Sequence, residues 1–401
     1  MKKKNIYIYD DEERFSSQLR TKLEKLNALK SKYEVFSLPN SDFKLSIDEL
    51  SQRQRSFRKE AKLNSGGSTP IDEADIFIID FDLVDSIVGQ LITGESVAYL
   101  ARCFSSCGLI IGLNLPPNRN NGFDLTLRGH PDSFADLNIG SAQLTNLSLW
   151  ETEVDDFRPW YWPILPTYLK NFIQKIKDVE SNLSKPIGEI IGFPSPESLD
   201  MLPRTLGQFI GKRPSKVTPY DFVINSGNGL RPKDFGKAAK KDINEDVSSV
   251  VSRVAAARLS KWLERLILPG QDILVDAPHL ISRYPSLLKG STADINNWNK
   301  AASITGGNIK DSIKQFKLKR EHWLSRPAWF WDSIREHEEI LEVKEPWKIK
   351  QVDWVFCEDA SRFYKKDQVK EFQAEVDSPF NRRYIKHFSQ VEYYPLYRLS
   401  L

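Results

Sequence analysis

Residues 74–83, ADIFIIDFDL, decide the fold of this chain. Ile76 to Ile79 form an unbroken apolar run, the pattern of a strand covered on both faces, as in a parallel sheet. The run stops at Asp80. Upstream, Lys4 to Tyr9 (KNIYIY) is a second β-rich stretch, and it also ends in acids, Asp10, Asp11 and Glu12. Phe15, Leu19, Leu23, Leu26 and Leu29 then recur every three or four positions, which predicts a helix within residues 13–31. Tyr33 to Leu38, Gly108 to Leu113 (GLIIGL) and Phe134 to Ile139 read as further strands, and Gly94 to Cys103 as a helix. Strands alternating with helices predict an α/β fold, a doubly wound parallel sheet with right-handed crossovers.

In such a sheet the functional groups gather past the carboxyl ends of the strands. If the first and third strands are neighbours, Asp10, Asp11 and Asp80 converge on one crevice. Three adjacent carboxylates repel, and a hard divalent cation such as Mg²⁺, held by oxygen ligands, relieves the repulsion. The cation would also neutralise an incoming phosphate, leaving one carboxylate as nucleophile. The plainer alternative is that Asp10, Asp11 and Glu12 cap the first helix, since acids favour a helix N-terminus.

The combination of a first strand ending in Asp-Asp-Glu with ADIFIIDFDL resembles the receiver domain of bacterial response regulators, over residues 4–180. The resemblance implies a flavodoxin-like strand order, Mg²⁺ on Asp10, Asp11 and Asp80, and Asp80 as the phosphoacceptor. Asp75 stands five residues before Asp80, as in the family's run into that aspartate. Three departures mark a degenerate member. Residues 40–70 hold an extra polar, basic segment between the acidic pair and Asp80. Asn114 stands nearest to where the family has the Ser or Thr that contacts phosphate. Ser141 stands near the place of the family's lysine, and no lysine occurs between Lys62 and Lys170. Loss of that ammonium removes a charge-assisted bond to a phosphoryl group.

Charge divides the chain. Residues 1–200 carry 23 Lys/Arg against 29 Asp/Glu, and residues 201–401 carry 34 against 25. An acidic front and a basic back suggest parts with different partners. We divide the chain into a receiver-like domain (1–183), a Pro/Gly-rich basic connector (184–241) and a mainly helical α+β output region (242–401). Aromatic residues 150–164 (WETEVDDFRPWYWPI) read as packing at a domain boundary. Leu165 to Leu183 is an amphipathic helix with Leu169, Phe172, Ile173 and Ile176 on one face.

The connector's basic run is Lys212, Arg213, Lys216, Arg231, Lys233, Lys237, Lys240 and Lys241. A solvated face is its default reading; nucleic-acid backbone contact is the alternative. Residues 243–267 form the clearest helix, capped by Asn244 or Asp242 and ended by Pro269-Gly270, with Arg253, Arg258, Lys261 and Arg265 on its polar side. Residues 272–275 (DILV) read as a strand. So does VDWVF (352–356), followed by a helix and the strand-like VEYYPLYRL.

Five scattered histidines lack zinc spacing. Asp353, Glu358 and Lys365 or Lys366 lack the acid-x-lysine triplet of a metal nuclease. Cys103, Cys107 and Cys357 read as reduced thiols in a cytoplasmic protein. No apolar stretch is long enough to span a membrane. The expectation is a bacterial signalling protein in which a degenerate receiver controls a C-terminal output through protein–protein contact. The alternative is a nucleic-acid-binding component of a multi-gene system, such as phage defence, acting through basic residues 204–265.

Overall fold

A computed structural model describes residues 2–64, 66–83, 92–113, 132–154, 157–225, 243–342, 353–373 and 382–387. Five strands form one all-parallel sheet: β1 (Lys4–Tyr9), β2 (Tyr33–Ser37), β3 (Ile76–Asp80), β4 (Leu109–Leu113) and β5 (Leu137–Ile139). Their order is β2-β1-β3-β4-β5. Ile76 to Ile79 are fully buried, as are Leu109 to Ile111, because helices cover both faces of a parallel sheet. β1 therefore lies directly beside β3, with Tyr9 opposite Ile79.

The helices are α1 (Glu13–Glu24), α2 (Asn40–Glu60), α3 (Gly94–Phe104), α4 (Leu165–Glu180) and α5 (Glu245–Trp262). Residues 40–60 are not an extra segment. They are the crossover helix between β2 and β3, and Phe43, Ile47, Leu50 and Phe57 on its inner face are buried. Arg53 is buried with them. Its guanidinium donates to both Asp72 carboxylate oxygens (2.8 and 2.9 Å), to Phe104 O (2.9 Å) and to Gly67 O (2.7 Å). One satisfied arginine inside the apolar stripe made a core helix look like a charged surface. On α4, Ile173 departs from the expected inner face and is exposed, while Lys175 is buried against Tyr168 and Trp323.

α5 is buried on nearly every side. Asn244 caps it, accepting from Val247 N (2.9 Å), while its own amide donates to Ala61 O (2.9 Å). Asp246 accepts from Leu63 N (2.9 Å), and Arg253 donates to Cys103 O (3.0 Å). Arg258 pairs with Asp132 (2.8 Å), and the Lys261 ammonium donates to Ser133 O. Arg258, Lys261 and Arg265, expected on a polar outer side, are thus buried. α5 packs on α3 and α4 and binds the C-terminal half to the parallel sheet's helical layer.

Beyond α5 the helical path continues through a π-helical stretch (Leu263–Ile267) and a last turn (Leu268–Gly270), then leads into β6 (Leu274–Asp276), antiparallel to β7 (Ala328–Phe330), with α6 (Ala277–Arg283) and α7 (Ile295–Ala301) between them. A second sheet has the order β10-β11-β8-β9, from β8 (Trp354–Cys357), β9 (Arg362–Lys365), β10 (Lys370–Gln373) and β11 (Arg382–Ile385). The helix expected after Asp359 is instead β9, paired antiparallel with β8. Residues 391–399, the expected last strand, lie outside the described residues. Trp150, Trp160, Tyr161 and Trp162 are buried, and the backbone N–H groups of Arg158 and Trp160 donate to Asp359 O (3.0 Å) and Glu358 O (2.7 Å). Apolar contact is continuous from Ile6 to Ile385. Among the described residues no helix is long and apolar enough to cross a membrane.

Candidate cation site

The register of β1 against β3 delivers Asp10 and Asp80 side by side at the carboxyl edge of the sheet. One carboxylate oxygen from each of Asp10, Asp11 and Asp80 lies within 4.8 Å of the others, and all three residues are half-buried. Helix capping does not account for the acids. Glu12 occupies the position before α1 and makes no side-chain cap bond. The Glu12 N–H instead reaches back to Asp10 Oδ1 (3.0 Å) and Asp11 Oδ1 (3.1 Å), and the Asp82 N–H donates to Asp80 Oδ1 (3.3 Å). These bonds hold each carboxylate by one oxygen.

Burial, with the adjacent Asp80 charge, pushes the Asp10 carboxyl up to about 6. Burial, with the charges of Asp11 and Asp82, raises Asp80 as well. Among the described residues no lysine or arginine pairs with any of the three. Hard oxygen donors, mutual repulsion and no protein counter-charge together fit Mg²⁺, which accepts a few carboxylates and completes its octahedron with water.

The sign of the Asp10 shift sets a pH dependence. A carboxyl raised from 3.8 to about 6 favours the folded state in its protonated form. That contribution is complete below pH 3.8 and is lost as pH rises through about 6. At pH 7.5 without metal, the ionised group opposes folding by about 1 kcal/mol, after discounting for its partial exposure to water. Asp10→Asn is therefore expected to raise the melting temperature in EDTA at pH 7.5. It should change nothing at pH 3.5, and thermal melts at the two pH values decide it.

The remaining expected site residues are spread out. Asn114 lies outside the described residues. Ser141 is exposed, at the first position of the short helix Ser141–Leu144 after β5. β4 separates β5 from β3, so Ser141 is two strands removed from Asp80. Phe81 fills part of the intervening space. Its ring lies against Gly112, where a Cβ would come within 1.7 Å of the ring and 2.7 Å of Asn138 Oδ1. Asp75, at the foot of β3, accepts from Asn5 N (2.9 Å) and ties β1 to β3. Lys212, Arg213 and Lys216 are exposed around the turn Pro214–Lys216. Arg231, Lys233, Lys237, Lys240 and Lys241 lie outside the described residues.

Two further groupings escaped the sequence reading. Glu95, in the first turn of α3, accepts from Ser133 Oγ (2.7 Å) and Phe134 N (2.6 Å). Gly94, just before it, donates its N–H to Phe81 O (3.3 Å), so Glu95 sits one turn from the acidic crevice. From α5, Lys261 and Arg258 act electrostatically on Glu95, and burial pulls the Lys261 ammonium down to about 7.

In the C-terminal half, His279 Nδ1 meets Asp276 Oδ1 at 2.5 Å and its Nε2 lies 3.6 Å from Glu358, which also pairs with Arg383 (3.3 Å). All four are buried. Burial works against an imidazolium here, but Asp276 and Glu358 outweigh it and raise His279. Glu358 is enclosed, whereas Asp353 is exposed, so the two do not share an open nuclease-like site. Cys103, Cys107 and Cys357 are buried free thiols. No family model, no curated protein and no solved structure matches this chain.

Proposed function

We propose that the N-terminal sheet is a receiver-like regulatory module that binds Mg²⁺ at Asp10, Asp11 and Asp80 and passes its state to the C-terminal half. The observation that carries this reading is the set of three carboxylates, without cationic partners among the described residues, at the carboxyl ends of adjacent parallel strands, in a sheet of order 2-1-3-4-5. When bound, the cation supplies charge neutralisation for an approaching anion. The chain's own groups do the rest. Asp80 presents one oxygen while the Asp82 N–H holds the other, and Phe81 walls the crevice toward β4.

A route outward supports a regulatory role. Asp80 leads through Phe81 O to Gly94 and Glu95, and Glu95 faces Lys261 and Arg258 of α5. A change of charge in the crevice thereby reaches a helix that belongs to the C-terminal half. The output is contact with another protein. With no lysine between Lys62 and Lys170, a phosphoryl group on Asp80 would lack its usual cationic partner. The module therefore responds to cation occupancy rather than to lasting phosphorylation.

The test is thermal unfolding with and without millimolar Mg²⁺, joined to intact-mass spectrometry after incubation with a small phosphodonor. Mg²⁺ should raise the melting temperature of the wild type and leave Asp80→Asn unmoved, with no persistent phosphoryl adduct on either. A melting temperature indifferent to Mg²⁺ overturns the cation site. An adduct found only on the wild type makes the protein a working phosphoreceiver instead.

A further inference from the structure

A cavity of about 1240 Å³ opens between the aromatic segment 157–162, α4, α7 and the β8–β9 turn. It lies apart from the acidic crevice, and no expectation from the sequence included it. Pockets that enclose drug-sized ligands run to roughly 1,000 Å³, so this one has room for a nucleotide. Its wall is cationic. Arg158, Lys300, Lys317, Arg326 and Arg362 contribute to it, against two carboxylates, Asp294 and Glu321.

The pairing among these groups settles which charges are available. Lys317 is bound to Glu321 (2.8 Å), and Arg326 to Glu264 (3.2 Å). Asp294 is occupied as the cap of α7, accepting from Asn296 N (2.9 Å). Arg158, Lys300 and Arg362 have no carboxylate partner among the described residues. Arg158 is the telling one. It is half-buried, one terminal nitrogen is buried without any hydrogen-bond partner, and burial alone lowers its pKa, with no anion opposing the fall. A guanidinium withdrawn from water without a counter-charge is costly unless a ligand supplies one.

The segments that carry the three cations are tied to one another by hydrogen bonds. The Ser361 hydroxyl donates to Arg158 O, and Phe363 N donates to Asn299 Oδ1 (2.7 Å). Arg362 thus stands between one neighbour fastened to Arg158 and another fastened to the residue before Lys300. Ser361 itself adopts φ 52°, a left-handed conformation that a serine holds only at a cost. Trp160 and Trp162 line the same cavity, together with the amide of Asn171. Three cations on one cavity wall without a carboxylate partner among the described residues, beside Asn171 and the small exposed parts of two indoles, suit a ligand that carries phosphates at one end and a flat heterocycle at the other.

We propose that this cavity is a nucleotide-binding site, with the phosphates held by Arg158, Lys300 and Arg362 and the base against Trp160 and Trp162. The site is independent of the acidic crevice. A free nucleotide and inorganic polyphosphate share the anionic part, so the probes must separate them.

Calorimetric titration of the full chain in EDTA with ATP, pyrophosphate and adenosine does so. ATP should bind, pyrophosphate more weakly, and adenosine not at all. Arg158→Gln and Arg362→Gln should each weaken ATP about 10-fold or more, the usual loss for a charge-assisted hydrogen bond. Neither variant should lower the melting temperature, because Arg158 makes its structural bonds through its backbone and Arg362 is exposed. Asp80→Asn should bind ATP like the wild type. Absence of ATP binding, or ATP affinity unchanged in both arginine variants, overturns the site. Pyrophosphate binding as tight as ATP overturns the nucleotide assignment and leaves only an anion site.

Discussion

Asp136→Ala is expected to destabilise the protein by about 3–5 kcal/mol, the usual penalty for stranding one partner of a buried ion pair. Arg102 and Asp136 are both inaccessible to water, and the guanidinium meets the Asp136 carboxylate directly. Asp136 also accepts from Ile110 N (2.8 Å), while Arg102 donates to Gly108 O (3.0 Å) and lies 4.5 Å from the Phe172 ring centre. The pair therefore joins α3, the start of β4, the approach to β5 and α4. Alanine leaves a guanidinium charge in the core and strips a β4 N–H of its acceptor. The double replacement Arg102→Met with Asp136→Leu should recover a large part of the loss, since two apolar side chains leave no charge to solvate. Denaturant melts of the two variants separate these contributions. Equal loss in both would show that the cost lies in packing rather than in stranded charge.

Asp276→Ala should have an effect of similar size, about 3–5 kcal/mol, in the other half of the molecule. Its carboxylate is fully buried, accepts from Trp160 Nε1 (2.8 Å) and contacts His279 Nδ1 (2.5 Å). Burial alone would raise the Asp276 pKa, yet His279, Arg326 and Trp160 outweigh it and hold the carboxyl low. Removing it leaves the Trp160 N–H unsatisfied and takes away the main counter-charge of His279. Burial then works against Glu358 alone, and the pKa of His279 should fall from its raised value. Asp276→Ala combined with His279→Phe should regain part of the stability at pH 6, where the stranded imidazole is otherwise partly charged. A histidine titration unchanged in Asp276→Ala would sink this account.

The sequence by itself was enough to lay out the parallel sheet. Ile76 to Ile79 and Leu109 to Ile111 are buried on both faces, and that leaves continuous apolar runs which no surface strand shows. The acids that close β1 and β3 were equally visible, because a strand ends where burial ends. α2 was hidden, since Arg53 and its charged neighbours masked the spacing of Phe43, Ile47, Leu50 and Phe57. Composition cannot tell a solvated arginine from one whose donors are met by Glu49, Asp72, Phe104 and Gly67. The same limit misplaced Arg258 and Lys261, whose partners stand over 120 residues away in sequence.

Only the tertiary structure could set Asp276 and His279 against Glu358 and Arg383, or bring Arg158, Lys300 and Arg362 to one cavity wall. Helical and strand periodicity is a local property, written by which face of each element meets the core. Pairing between distant charges is decided by how the elements pack, and it leaves no periodic trace along the chain.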